Sequence, residues 1–293
     1  ACDRTLAEPV FRRSIAPVST DRPLAASLEA CFDRLWPICR SLAGPGFRES
    51  LAVLEELVPF QRLEFASGER VLDWVVPPEW IARAGWLVAP DGRRVVDFAD
   101  NNLHLLGYSV PFRGRLDLEA LRPHLYTLPE QPEAIPYLTS YYQPRWGFCM
   151  RHSDYLRLPA GEYEVCVDTE LRPGKLVVAE AVLPGTSAEE VLFASYLCHP
   201  SLANNELSGP LVLAHLYGRV AALTARRYTY RFVIGAETIG AIAYLSRRGA
   251  HLRSRLAAGY QVTCVGDRGA FTLKGSRRGD TLANRAARVV LAA

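Results

Sequence analysis

No apolar run in this chain approaches the roughly 18–20 residues that a membrane-spanning helix needs, so a membrane is not an expected partner. The opening residues, ACDRTLAEPVFRRS, lack the hydrophobic core of a signal peptide. Cytoplasm is the expected compartment. There is no basic run and no basic patch interleaved with aromatics; the formal charge of +3 is spread over many arginines. Nucleic acid is therefore not implied either. CxxC spacing is missing as well: Cys2, Cys31, Cys39, Cys149, Cys166, Cys198 and Cys264 are scattered and odd in number. Several lie inside apolar, strand-like runs and read as reduced, buried thiols acting as small hydrophobes. No internal repeat and no low-complexity segment is visible.

What the chain does have is a soluble globular composition, with 49% hydrophobic and 22% charged residues. Its 293 residues allow one large domain, or one domain carrying a smaller insertion. Residues 1–23 are polar and interrupted by proline, as in an arm. Leu28, Cys31, Phe32, Leu35, Ile38, Cys39 and Leu42 recur at helical spacing over Leu24 to Leu42, with Pro37 a candidate kink. A second helix is expected over Phe47 to Leu57. From about Val71 the texture becomes short strand-like runs broken by Pro, Gly and Asp-Gly turns.

After Thr139 strands are expected at Tyr163–Asp168, Lys175–Leu183, Val191–Cys198, Tyr228–Gly235 and Ala258–Val265. Helices are expected at Glu206–Leu223, Glu237–Arg247 and Thr281–Leu291. Alternation of strand and helix from Val191 onward predicts an α/β fold with a mostly parallel sheet flanked by helices. The expected division is an α/β domain over 24–70 and 139–293, with a β-rich insertion over 71–138. The segment TLANRAARVVLAA reads as an amphipathic helix with no cap after it, as in a fragment or a naturally short chain.

Two segments carry chemistry. VLFASYLCHPSLANNELSGP, Val191 to Pro210, reads as a buried strand, a His at its exit, and a polar loop ending where a helix begins. YRFVIGAETIGAIAYL, Tyr230 to Leu245, repeats the design with Glu237 at the exit. Carboxyl edges of sheets are where α/β proteins present reactive groups. A His and a Glu there are the minimum for metal-assisted hydrolysis. His199 is a candidate metal ligand, with Asn204, Asn205 and Glu206 in the loop that follows. Glu206 is either a ligand or a first-turn carboxylate favoured by the helix dipole. Glu237 is a candidate general base, which burial at a strand exit would strengthen, or else an ordinary helix-start carboxylate.

Other candidates carry less. Adjacent residues on an extended strand point to opposite faces, so Cys198 and His199 are not expected to meet as a thiol dyad. Ser208-Gly209 lacks the flanking elbow of serine hydrolases, which leaves its hydroxyl packed at a helix start. His104, His124, His152, His215 and His251 show no ligand spacing. Asp267 is a third strand-exit carboxylate or a turn former. The aromatic stretch Tyr141 to Tyr155, with Arg145, Arg151 and His152, lines a pocket or packs an interface between insertion and core.

The segments CHPSLANNELSGP, GAETIGAIAYLSR, LPEQPEAIPYLTSYYQPRWGFC and RSLAGPGFRESL together resemble bacterial aminopeptidase-like proteins with an inserted β-rich domain of unknown function. These are often labelled polysaccharide-biosynthesis proteins with an aminopeptidase-like domain. The similarity runs from about Leu24 to the last residue. It implies a core like that of the di-zinc aminopeptidases, with a phosphorylase/hydrolase-like fold. The family pattern places one metal-binding His on His199 and the metal-bridging Asp on Asn205. It places the base on Glu237, a ligand Glu on Thr238 and a further Asp on Thr263, with a late His falling beyond residue 293. Asn and Thr are poor substitutes for anionic ligands around two divalent cations. The resemblance therefore implies one zinc at most, held by His199, Asn205 and Glu206, or none.

The expected activity is that of a metallopeptidase-like hydrolase acting on a peptide or amide bond near a free amine. One alternative is a non-catalytic relative that binds a peptide, amino sugar or glycan precursor. Another is an assembly role, with the insertion and the Trp146 region forming a homo-oligomer interface.

Overall fold

Pro37 ends the first helix rather than kinking it. In the computed structural model, which describes residues 11–13 and 22–292, α1 spans Arg22–Leu35 and stops two residues short of that proline. The arm expected over 1–23 therefore lies outside the described residues, apart from Phe11–Arg13, which pair with Phe271–Leu273, and the first two residues of α1. The next helix, α2 (Pro45–Glu55), has its proline in the first turn, where the missing N–H costs nothing. Gly46 in that turn sits so close to the carbonyl of Cys39 that a Cβ would come within 1.9 Å of its oxygen. The chain between the two helices is thereby folded back tightly.

The strands follow in chain order as β1 (Gln61–Ala66), β2 (Glu79–Val88), β3 (Arg94–Asp97), β4 (Phe112–Asp117), β5 (Glu162–Arg172), β6 (Lys175–Leu183) and β7 (Glu190–Tyr196). Then come α3 (Ser208–Ala221), β8 (Thr229–Gly235), α4 (Ile239–Arg255), β9 (Leu256–Gln261) and α5 (Leu282–Ala292). Five of the strands form one sheet in the order β9-β7-β8-β6-β1. β7 runs parallel to both β8 and β9, joined through α3 and α4, whereas β6 is antiparallel to β8 and to β1. The expected mostly parallel sheet is thus a mixed one. Alternation of strand and helix sets direction only from β7 onward, and β6 enters from the opposite side.

Period-two alternation along β6 divides the core between the two faces of this sheet. Val177, Ala179 and Ala181 pack with Leu35, Phe47, Leu51 and Leu54 of the first two helices and with Leu211 and Ala214 of α3. Leu176 and Val178 pack on the other face with Val233 and with Ile239, Ala243 and Tyr244 of α4. That second cluster continues into Trp80, Leu87, Val165 and Phe148. Those residues belong to, or pack against, a four-stranded antiparallel sheet ordered β3-β2-β5-β4. β5 overlaps the strand expected at Tyr163–Asp168 in the α/β core, yet it lies in the middle of the second sheet. Its alternating pattern fits either sheet, and only the pairing with β2 and β4 distinguishes them.

Under α4 the core turns ionic. Arg231 donates to Glu190 Oε2 and to Glu180 Oε2, both at 2.7 Å, and Tyr244 donates to the same Glu180 oxygen at 2.9 Å. Arg248 also reaches Glu180, and His251 Nε2 lies 2.7 Å from Glu190 Oε1. His251, which has no ligand spacing in the sequence, thus joins this charge network from its exposed rim.

Candidate functional site

The site forms where β7 and β8 end side by side. Leu197 N–H donates to the carbonyl of Gly235, extending the parallel pairing one bond past Tyr196 before the two chains diverge. Beyond β7 the chain runs Cys198-His199-Pro200 into a single π-helical turn, Ala203–Leu207, and then into α3. Such wide turns recur at functional sites because they swing side chains off the regular helical face. Gly209 holds the start of α3 against the sheet: a Cβ there would lie 2.3 Å from the Val262 carbonyl oxygen and 2.4 Å from Ser195 Oγ. Ser208 accepts from Val265 N–H and donates to the Asn204 carbonyl, the packed role expected of it.

Three predicted residues converge. His199 Nδ1 lies 2.8 Å from Glu206 Oε1, and its Nε2 lies 3.7 Å from Glu237 Oε2. Side-chain exposure runs from 0% at Glu206 through 14% at His199 to 43% at Glu237. One carboxylate is sealed behind the imidazole and the other stands in front of it. Glu206 is therefore no solvated first-turn carboxylate. Its Oε2 accepts from Cys198 N–H at 2.5 Å, while Oε1, although close to Nδ1, is off alignment and has no hydrogen-bond partner. The burial expected of Glu237 is not found; β8 ends two residues earlier, and the carboxylate lies on the open side of the turn.

That turn is strained. Thr238 has φ 55° and ψ −60°, and Ile239 N–H donates back to the Glu237 carbonyl at 2.5 Å. This is the rare positive-φ γ-turn, unfavourable for a β-branched residue. Strain of this kind gathers where function fixes a backbone.

Residues that sequence reasoning passed over complete the surroundings. Arg40, only 1% exposed, donates through Nε and Nη2 to the His199 carbonyl at 3.3 and 3.2 Å, and through Nη1 to the Leu35 carbonyl at 2.5 Å. Burial lowers its pKa to about 10, against the opposing pull of Glu206. The Tyr137 ring lies 4.5 Å from the imidazole, and its hydroxyl is 3.2 Å from that of Tyr141. Burial pushes both phenols well above their usual range. Arg40 and Tyr137 fall within segments that carried the family resemblance, but no spacing rule singles either out. The aromatic stretch divides between two places. Tyr141 backs the site, while Trp146 is packed between His124 and Phe112 at 3.7 and 4.2 Å between ring centres.

The expectation that Cys198 and His199 form no thiol dyad is not overturned, but its premise is. β7 ends at Tyr196, so strand alternation no longer governs 198 and 199. The Cys198 sulfur, an imidazole nitrogen of His199 and a carboxylate oxygen of Glu206 all lie within 4.8 Å of one another. Cys198 is fully buried, its sulfur accepts from Glu237 N–H at 3.3 Å, and burial holds its pKa well above that of a free thiol.

These residues suit one metal ion and not two. Glu206 Oε1 and Asn205 Oδ1 are buried acceptors without hydrogen-bond partners, and such atoms are costly unless something binds them. The places implied for a second ion are differently used. Thr263 Oγ1 donates to the Tyr196 hydroxyl at 2.6 Å and contacts the Asn205 carbonyl at 3.2 Å, and Thr238 offers a neutral hydroxyl. Asp267 behaves as a turn former, capping Gly269 N–H and accepting from Asn204 Nδ2 at 2.6 Å. On the sheet face beneath α4, a pocket of about 390 Å³ opens beside Glu237, lined by Leu192, Ala194, Val233, Ala241 and Leu252.

Comparison with known proteins agrees with the resemblance. The family described as "Domain of unknown function (DUF4910)" matches residues 30–293, and the chain belongs to it. Over 248 residues it is 38% identical to a curated Clostridium acetobutylicum protein named as a candidate polysaccharide biosynthesis protein with aminopeptidase-like domain. That match covers 85% of this chain and 57% of the relative, so the chain spans little more than half of the relative's length. The crystal structure of a candidate peptidase from Clostridium acetobutylicum superposes with a TM-score of 0.84 at 34% identity, covering 92% of this chain and 65% of the other. A zinc aminopeptidase from Bacillus subtilis superposes with a TM-score of 0.53 at 10% identity, over 82% and 69% of the two chains, a likeness of fold alone. The fold is aminopeptidase-like. Among the described residues no helix is long and apolar enough to cross a membrane.

Proposed function

We propose that this chain is the site-bearing part of a zinc-dependent, aminopeptidase-like hydrolase that cleaves a peptide or amide bond near a free amine. The observation that carries the reading is the layering of Glu206, His199 and Glu237, with a sealed carboxylate, an imidazole and an accessible carboxylate in contact sequence. His199 and Glu206, with Asn205 beside them, would hold the ion. When bound, zinc supplies Lewis-acid polarisation of a carbonyl or of water. Glu237 is the accessible base: it takes a proton from the attacking water and returns it to the departing amine. Arg40 fixes the His199 backbone, and Tyr137 limits the tilt of the ring. The pocket beside Glu237 offers an apolar surface to the substrate next to the scissile bond.

The test combines metal analysis of the purified chain with hydrolysis of a panel of aminoacyl anilides. Glu237→Gln should retain zinc and lose about 10²–10⁴-fold in turnover. His199→Ala should lose the metal. Zinc-free protein with anilide cleavage unchanged by either substitution refutes the proposal. A second reading draws on the neutral Asn205 and Thr238 and on the relative's printed association with polysaccharide biosynthesis. In it the chain binds a peptide, amino sugar or glycan precursor without catalysis. A ligand-dependent thermal shift in metal-free protein would favour it.

A further inference from the structure

We infer, resting on the one-ion reading above, that Cys198 is the third protein ligand, giving a Cys–His–Glu centre with one position left for water or substrate. The sulfur already lies with the His199 nitrogen and the Glu206 oxygen inside a 4.8 Å cluster. Cys198 and Glu206 are both 0% exposed. Glu206 Oε1 is a buried acceptor lacking a hydrogen bond, so the cluster has an open valence at its centre. Glu237 N–H donates to the sulfur at 3.3 Å, the kind of outer contact that orients a ligand.

Ligand number agrees. Hydrolytic zinc sites take three protein ligands and keep a fourth position open. His199 and Glu206 supply two, and a neutral amide such as Asn205 is a weaker third than a thiolate. Charge agrees too. A thiolate formed at Cys198 on binding, together with the Glu206 carboxylate, would match the two charges of a divalent cation. Binding exchanges the S–H proton, released to solvent, for the sulfur–metal bond. A nucleophilic role does not suit this thiol, because no substrate reaches a fully buried sulfur. The exposed Cys264 lies 3.9 Å from Asn205 Nδ2 but is outside the cluster.

Cobalt(II) reports ligand identity directly. The full chain, stripped with chelator and titrated with cobalt(II), should develop visible ligand-field bands together with a near-ultraviolet thiolate-to-cobalt charge-transfer band. Cys198→Ser should lose the near-ultraviolet band and weaken binding by more than the roughly 10–100-fold typical of an outer partner. Cys264→Ser should keep both features, and circular dichroism confirms that each variant is folded. Visible bands without the charge-transfer band in the unsubstituted chain, or a band surviving in folded Cys198→Ser, overturn the assignment of sulfur and leave the one-ion reading standing. Absence of any stoichiometric cobalt or zinc overturns both.

Discussion

Thr238 shows how much of the local chemistry is backbone. A β-branched residue at φ 55° costs on the order of 1–3 kcal/mol, and glycine at that position would not bear it. Thr238→Gly should therefore stabilise the fold by about 1 kcal/mol, raising Tm by roughly 2–4 °C. It should also lower hydrolytic turnover, because Glu237 loses its fixed exit. Calorimetry and the anilide assay on one preparation check both halves. His199 and Glu237 are legible in the sequence because a polar residue closing an apolar run marks a strand exit. Cys198 is not, since the alternation rule was carried past the end of the strand. Arg40 is silent for another reason: nothing in RSLAGPG says that its partner is a carbonyl 159 residues away.

Among the elements, the packing of α4 on the sheet depends on charge as well as on apolar area. Removing one member of a buried ion network leaves its partners uncompensated, so Arg231→Met should cost about 3–5 kcal/mol in urea denaturation at neutral pH. Burial favours the protonated forms of Glu180 and Glu190. Arg248, Tyr244 and Arg231 around the first, and Arg231 and His251 around the second, outweigh it and bring both below the ordinary 4.5. A depressed carboxylate stabilises the fold in full above its unfolded value and loses that contribution as pH falls through its lower folded value. Stability should thus decline below about pH 4.5, and the double substitution Glu180→Gln, Glu190→Gln should flatten that decline. Urea midpoints taken from pH 6 down to pH 3 decide it. Element types after Thr139 were readable from periodicity: β6 spans the expected Lys175–Leu183, and β7, β8 and β9 shift by a few residues, whereas β1 is not among the expected strands. Sheet membership was not, since nothing in the alternation of Glu162–Arg172 says which sheet will accept it.

Across the whole molecule the second sheet shares a core with the first. Trp80, Leu87 and Val165 lie in one buried cluster with Val178 and Val233. We therefore expect that replacing residues 79–172 with a short linker will abolish cooperative unfolding, whereas a freely separable insertion would leave a folded remainder. A denaturation curve on the shortened chain distinguishes these results. The same arrangement explains why the β-rich texture was recognisable while its limits were not: a boundary at 138 separates β5 from β2 and β4, the strands it pairs with.

The guanidinium of Arg40 grips the closing carbonyl of α1 with one nitrogen and the carbonyl of His199 with two others. The earliest helix of the sheet domain and the backbone of His199 are consequently fastened to a single planar group. Clipping the chain just before Arg40, by protease or by cloning, would release that guanidinium from its covalent tie to the helix while leaving every side chain of the candidate site in place.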